Sequence, residues 1–317
     1  MDYLRRTLVA LLIASMGLAI SGMPSMAKNL KVAAVFPGSI TDQAGMQNSY
    51  EGLMKAKKTL KVETAYSEKV PQADQLEAMS DYARRGYDLV IGGGGEFIAA
   101  AKRVVERYPD TFVVVINGAP TEGVVTLNYN NQQFGYVLGL AAGRTTKTGK
   151  AGVVAAQPLK VVLDGIEGFK KGFEKGHPGG EVIVAYTNDF DDVAKAMEAT
   201  LNQIAQGVDV VFPYLDNGIV GVMKAAKEKG VKAVAVWADL SKSWPEENLL
   251  STVVDFGEYL VYTIETAMNG KLERRDYRMG IGTKMGYLSD FNPAVPADVK
   301  AEILQVIEDL KSGKLRL

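Results

Sequence analysis

Histidine and cysteine supply many of the nucleophiles, proton shuttles and transition-metal ligands in proteins, and this chain of 317 residues has one histidine and no cysteine. The histidine sits in Lys175-Gly176-His177-Pro178-Gly179-Gly180, whose glycines and proline mark a turn between a helix and a strand. His177 is therefore expected on a surface loop. Without cysteine there is no thiolate metal site, no disulfide and no cysteine nucleophile. The acidic group Asn188-Asp189-Phe190-Asp191-Asp192 lacks the alternating oxygens and distant glutamate of a calcium loop and reads as the N-cap of a helix starting near 193. Gly92 to Gly95, followed by Glu96, lies between a strand-like and a helix-like run. It has neither the GxxxxGK[ST] pattern nor the acidic partner of a dinucleotide loop. Two readings stand for these glycines: close approach of a ligand to backbone N–H groups, or a tight turn. No catalytic residue, metal or cofactor is expected.

The elements that would carry these residues alternate along the chain. Apolar β-rich runs at 30–36, 60–66, 89–91, 111–116 and 124–127 are separated by amphipathic stretches at 42–58, 71–85 and 96–107, and a further helix follows at 132–145. The pattern then repeats, with strands at 151–155, 181–186, 208–212 and 233–237 and helices at 161–175, 192–206 and 218–229. Short apolar strands alternating with helices of three to five turns predict parallel sheets covered on both faces. The fold class is thus α/β with two lobes, each a mainly parallel sheet. Past Trp237 the pattern loosens: strand 249–254, helix 257–269, an extended stretch 279–288 and a last helix 296–311. That helix places Val299, Ile303, Leu304, Ile307 and Leu310 on one face. The division expected is residues 28–147 with about 256–280 in one lobe, and 148–255 with about 281–317 in the other.

Composition bounds the partners. Hydrophobic residues make up 47% and charged residues 23%, with a net charge of −1, too apolar for a disordered chain and without the basic stripe that binds nucleic acid. At the N-terminus, Arg5 and Arg6 precede an apolar run at 8–20, broken by Ser21, Gly22 and Pro24, and Ser25-Met26-Ala27 offers small residues for cleavage. The run is shorter than the ~20 residues needed to span a bilayer and reads as a secretory signal peptide over 1–27. With no cysteine to carry a lipid, the expected location is the periplasm.

The loop after the first strand, Gly38-Ser39-Ile40-Thr41-Asp42-Gln43-Ala44-Gly45-Met46-Gln47-Asn48-Ser49-Tyr50-Glu51-Gly52-Leu53, resembles the opening signature of the basic membrane protein (PnrA-like) family of ABC-transporter solute-binding proteins. Similar matches follow in order along nearly the whole mature chain: Asn128-Tyr129 with Phe134-Gly135 and Gly139-Leu140-Ala141-Ala142-Gly143; Thr148-Gly149-Lys150-Ala151-Gly152-Val153-Val154; Phe190-Asp191 with Ala194-Lys195; Ala238-Asp239; and Phe291-Asn292-Pro293-Ala294-Val295-Pro296. The resemblance implies a type I periplasmic binding-protein fold, two lobes joined by three crossovers and closing over a ligand, most often a purine base or nucleoside. Partners would then be that small molecule, an ABC permease and its ATPase, with the protein itself a monomer and not an enzyme.

Carried across residue by residue, the resemblance gives Asp42 and Gln47 as polar contacts in the first loop, with Ser39 and Gln43 beside them. It gives Phe190 as a stacking aromatic, Asp239 as a polar strand-end residue and Lys284 as a loosely aligned late lysine. Gly94, Glu96, Tyr214 and Asp216 join them by position at strand ends. Two departures stand out. Gly45 and Met46 replace an aromatic followed by asparagine, and Trp237 replaces a residue that grips ribose. Trp237 can stack but cannot accept a hydrogen bond, which leans the reading towards a base or another flat heterocycle; Trp237 and Phe190 each also fit a core position. The alternatives are a ligand sensor of the same fold feeding a receptor and a binder of a sugar-like molecule. A nucleoside hydrolase would need a calcium-binding aspartate cluster near the first strand, where only Asp42 stands.

Overall fold

The computed structural model describes residues 29–41 and 45–317, so the expected signal segment, Asp42 and Gln43 lie outside the described residues. The first half builds β1 (Lys31–Val35), α1 (Gly45–Leu60), β2 (Glu63–Ser67), α2 (Gln75–Arg84), β3 (Leu89–Gly92), α3 (Ile98–Arg107), β4 (Phe112–Ile116) and β5 (Val125–Tyr129). Helix α4 (Asn131–Thr145) then leads into β6 (Lys150–Ala155), α5 (Lys160–Gly176), β7 (Glu181–Tyr186), α6 (Val193–Ala205), β8 (Val210–Tyr214), α7 (Ile219–Lys229), β9 (Lys232–Trp237) and β10 (Asn248–Val254). The tail is α8 (Phe256–Met268), β11 (Asp276–Met279), β12 (Gly286–Leu288) and α9 (Ala297–Lys311).

Two six-stranded sheets result, in the orders β11-β5-β4-β3-β1-β2 and β12-β10-β9-β8-β6-β7. All recorded pairs are parallel except β10 with β12. This is the two-lobed α/β architecture the alternation predicts. The central strands are buried along their length, as in Phe112–Ile116 (FVVVI) and Asn248–Val254, because helices cover both faces of such sheets. In each sheet the first strand has its successor on one side and the third on the other. The order therefore reverses between β1 and β3, and again between β6 and β8.

Helix α4 packs against elements that follow it in the chain. It precedes the division placed at 147, yet packs on α5, over β9 and β10, and against α9. The contact is backbone on backbone. A Cβ on Gly135, Gly139 or Gly143 would strike the carbonyl oxygens of Gly165, Phe169 and Phe173, and one on Gly168, Gly172 or Gly176 would strike those of Gln132, Tyr136 and Leu140. Glycine at every fourth position of one helix, and nearly so on the other, lets the axes approach as side chains would not permit. A bidentate ion pair, Arg144 Nε to Glu302 Oε2 at 2.8 Å and Arg144 Nη2 to Glu302 Oε1 at 2.9 Å, ties α4 to α9.

Three further expectations change. The strand read as 208–212 continues through Pro213 to Tyr214, because β8 stays paired with β6 to Ala155↔Tyr214 while its pairing with β9 stops at Val211↔Ala233. A proline is tolerated where one neighbour has already diverged. The stretch 279–288 is not one extended segment: β11 adds to the first sheet beside β5, and β12 to the second beside β10. On α9, Val299, Ile303, Ile307 and Leu310 are buried but Leu304 is 52% exposed, since one residue beyond Ile303 lies about 100° further round the helix. Asp192 caps α6 as expected, accepting the Lys195 amide at 3.0 Å. His177 closes α5 against the ring of Phe173. No helix among the described residues is long and apolar enough to cross a membrane.

Gly139→Ala should lower stability in urea denaturation by about 1–3 kcal/mol, the usual cost of forcing atoms into a filled contact. Gly45→Ala, where nothing lies within 4 Å, should not. The Arg144 guanidinium, chiefly through its hydrogen bonds, holds the Glu302 carboxyl below the usual glutamate range. A lowered folded pKa gives stability that is present above the unfolded value, near 4.3, and lost as pH falls through the folded one. The pair is partly exposed and is worth at most ~1 kcal/mol. The stability difference between the native protein and Glu302→Gln should hold constant above about pH 5 and shrink below about pH 4 in acid denaturation.

Candidate functional site

Parallel strands joined by helices bring all their carboxyl ends to one edge, and ligands bind where the strand order reverses. In the first sheet that point lies between the segment after β1, Phe36 to Thr41, and Gly93 to Glu96 after β3. In the second it lies between Ala156 to Leu159 after β6 and Leu215 to Asn217 after β8.

The chain passes between the sheets at three places: Asn130 between β5 and α4, Asp255 between β10 and α8, and residues 280–285 between β11 and β12. These are knotted together. The Asn130 amide donates to Met279 O at 2.9 Å, and the Asp255 amide donates to Met285 O at 2.9 Å. Asp255 Oδ1 accepts from the Glu258 amide at 2.8 Å and from Asn48 Nδ2 at 3.2 Å, while Asn48 Oδ1 accepts the Gly257 amide at 2.8 Å. Gln133 Oε1 accepts the Ile281 amide at 3.3 Å.

An aromatic cluster fills the same region. Tyr129, 1% exposed, meets Phe134, Phe256, Tyr259 and Trp237 edge to face, with ring centroids 5.8, 5.4, 5.4 and 6.4 Å away. Trp237 in turn meets Tyr214 at 5.7 Å. Its ring thus lies between residues of the two sheets, and its backbone has φ +79°. For a bulky residue this left-handed conformation is an outlier, held here by packing on both sides. The Tyr129 hydroxyl is buried with no hydrogen-bond partner among the described residues, and desolvation pushes it well above the ordinary tyrosine range.

The expected site residues fall into three groups. Phe190 and Asp216 come together at the carboxyl edge of the second sheet, and Trp237 ends β9 at the same edge. Phe190 O accepts the amides of Asp216 and Gly218, both at 3.0 Å, and Asp191 Oδ1 accepts the Asn217 amide at 3.1 Å, so the loops after β7 and β8 are stapled. Phe190 and Trp237 are half-buried against the core. On the first sheet, Ser39 Oγ lies 3.0 Å from Thr41 Oγ1 and donates to Glu68 Oε2 at 3.4 Å. Gly94 is extended and Glu96 exposed. A Cβ on Gly93 would press on Phe36, and one on Gly95 on Asn117 O, so close packing of this turn itself demands glycine. Gln47 donates to Glu51 Oε1 at 2.8 Å within α1.

Tyr214 is corrected from the cleft to the core. It is 4% exposed, and its hydroxyl donates to Asn131 Oδ1 and Val161 O at 3.2 Å each, because β8 runs two residues further than expected. Asp239 is exposed and accepts the Ser241 amide at 2.9 Å in a local turn. Lys284 is exposed in the third crossover, in an open depression with Lys55, Glu258, Thr283 and Tyr287. Sequence reasoning missed Asn48, Gln133 and Asp255, which join the crossovers, and the central place of Tyr129. An asparagine or aspartate capping a helix directly after a strand, as at Asn130 and Asp255, is the local signal that could have marked them. The described residues include no His/Cys/Asp/Glu group that could hold a metal ion.

Two α/β lobes with facing strand ends, joined by three adjacent crossovers, define the class of two-lobed ligand-binding proteins. Residues 29–312 match the PnrA-like ABC transporter substrate-binding proteins, and the chain belongs to that family. Its members are solute-binding proteins and not enzymes. The chain is 29% identical to the transcriptional activator protein Med of Bacillus subtilis, over 92% of each chain. It is 25% identical to a purine-binding protein of Brucella abortus, over 94% of this chain and 86% of that one. The crystal structure of a transcriptional activator of the comK gene from Bacillus halodurans superposes with a TM-score of 0.78 at 26% identity, covering 88% of this chain and 96% of the other.

Tyr129→Phe should leave stability unchanged or raise it, because it deletes a buried hydroxyl that costs ~1–3 kcal/mol when unsatisfied. Thermal unfolding monitored by circular dichroism checks this; a clear fall in the midpoint would mean the hydroxyl has a partner.

Proposed function

We propose that this protein is the extracytoplasmic binding component of an ABC importer and that it carries a purine base or nucleoside between its lobes. The observation that carries the reading is Phe190 and Trp237 at the carboxyl edge of the second sheet, flat side chains able to stack on a flat ligand. The family membership and the likeness to a purine-binding protein support it. Lobe closure buries the ligand and changes the surface offered to the permease. The signal peptide at 1–27 delivers the chain to the periplasm, where it works as a monomer. The packing of α4 on α5 supports a first division near 130 rather than 147, with later divisions at 255 and within 280–285.

A second reading follows from the likeness to Med and to the comK activator: the same ligand-dependent closure reports to a regulatory partner instead of a permease. Loss of purine uptake on deletion of the gene supports the importer; normal uptake with altered transcription supports the regulator.

Thermal shift against purines, pyrimidines and sugars tests the ligand. A purine at about 100 times its dissociation constant should add ~2.7 kcal/mol of stability. Phe190→Ala should weaken binding, losing ~0.5–1.5 kcal/mol of stacking in addition to buried area. Stabilisation by sugars alone, with affinity unchanged in Phe190→Ala, would overturn the purine reading.

A further inference from the structure

The purine reading leaves open which base edge the second lobe recognises, and Asp216 bears on that choice. It follows β8 directly, beside the point where the strand order reverses. Its main chain is pinned through the Asp216 amide to Phe190 O at 3.0 Å, and the next amide, of Asn217, is pinned to Asp191 Oδ1 at 3.1 Å. The carboxylate is therefore carried on a loop whose main chain is fixed to that of Phe190, yet it accepts no hydrogen bond from any described residue. Neighbouring acids are engaged: Asp189 Oδ1 accepts the Asp191 amide at 2.8 Å, and Asp192 holds Lys195. Asp216 is exposed in this open arrangement, and partial desolvation, with the Asp191 carboxylate second, already raises its carboxyl.

A carboxylate accepts hydrogen bonds and cannot donate them. Closing a cleft over one that has no donor is costly, so the ligand must bring the donors. Two parallel N–H groups satisfy both oxygens at once, the strongest arrangement for this acceptor. Among purines, guanine presents such an edge, N1–H beside its 2-amino group. Hypoxanthine keeps N1–H but lacks the amino group, and adenine has an acceptor at N1. Anionic ligands, phosphorylated nucleosides included, are repelled by Asp216 and Asp191 together.

We propose that Asp216 is the specificity-determining residue of the cleft and selects a guanine-type edge on a base stacked against Phe190. This rests on the purine reading above. The test is calorimetric titration of the full mature protein with guanine, hypoxanthine and adenine, and with guanosine and inosine, repeated on Asp216→Asn. The native protein should bind the guanine member of each pair about 10- to 100-fold more tightly than its hypoxanthine counterpart. In Asp216→Asn that ratio should collapse towards one, because asparagine offers one acceptor where the carboxylate offers two. The ratio is taken within each protein, so a loss of folded material does not enter it. A ratio near one in the native protein, or the same ratio in both proteins, overturns the role of Asp216 and leaves the purine reading standing. Binding of no purine by the native protein overturns both.

Discussion

Two sheets can close on a ligand only if the chain that joins them crosses at a single place and bends there without coming apart. In this protein that place is built around Tyr129. Its ring meets four aromatic neighbours edge to face, one from α4, two from α8 and one from β9. Around the ring, Asn130, Asp255 and Met279 to Met285 exchange main-chain hydrogen bonds, so the three crossovers form one joint. Edge-to-face aromatic contacts tolerate small rotations, because they fix a separation and an approximate angle more than a register. A buried hydroxyl without a partner among the described residues, at the centre of such a joint, leaves this packing slightly less favourable than it could be.

The rigid parts on either side are made differently. In the second lobe, α4 and α5 meet through glycines, with carbonyl oxygens of each helix against the Cα atoms of the other. In the first lobe, Gly52 of α1 meets Gly257 of α8 in the same manner. Both contacts anchor a helix that directly follows a crossover between the sheets, and close backbone packing leaves little room to slide. The loops after β7 and β8 are likewise held to one another, through the amides of Asp216 and Gly218 on Phe190 O.

Much of this was legible along the chain. The alternation of strand and helix predicts two parallel sheets, since a short apolar run buried on both faces has few other uses. Asp192 reads as a helix cap from its spacing alone. The near-absence of histidine and cysteine removes most catalytic and metal chemistry before any fold is considered. Asp216 stands out because strand ends gather on one edge, whereas Phe190 and Trp237 stand out first by comparison with the family pattern. Tyr214 could not be placed correctly, because Pro213 looks like a strand end and is one on only one side of β8. Leu304 shows the same limit at the scale of a single helix turn.

The sequence by itself determined most of the elements and their parallel pairing, because these follow from local periodicity, while its binding character was implied by the family resemblance. Only the tertiary structure decided that α4 packs on α5 beside the second sheet, that 279–288 divides between two sheets, and that Asn48, Tyr129, Asn130, Gln133 and Asp255 share one joint. Asn48 and Asp255 stand more than two hundred positions apart and touch. A contact of that kind exists only once both lobes have folded and the chain has crossed between them, so no window of sequence contains it.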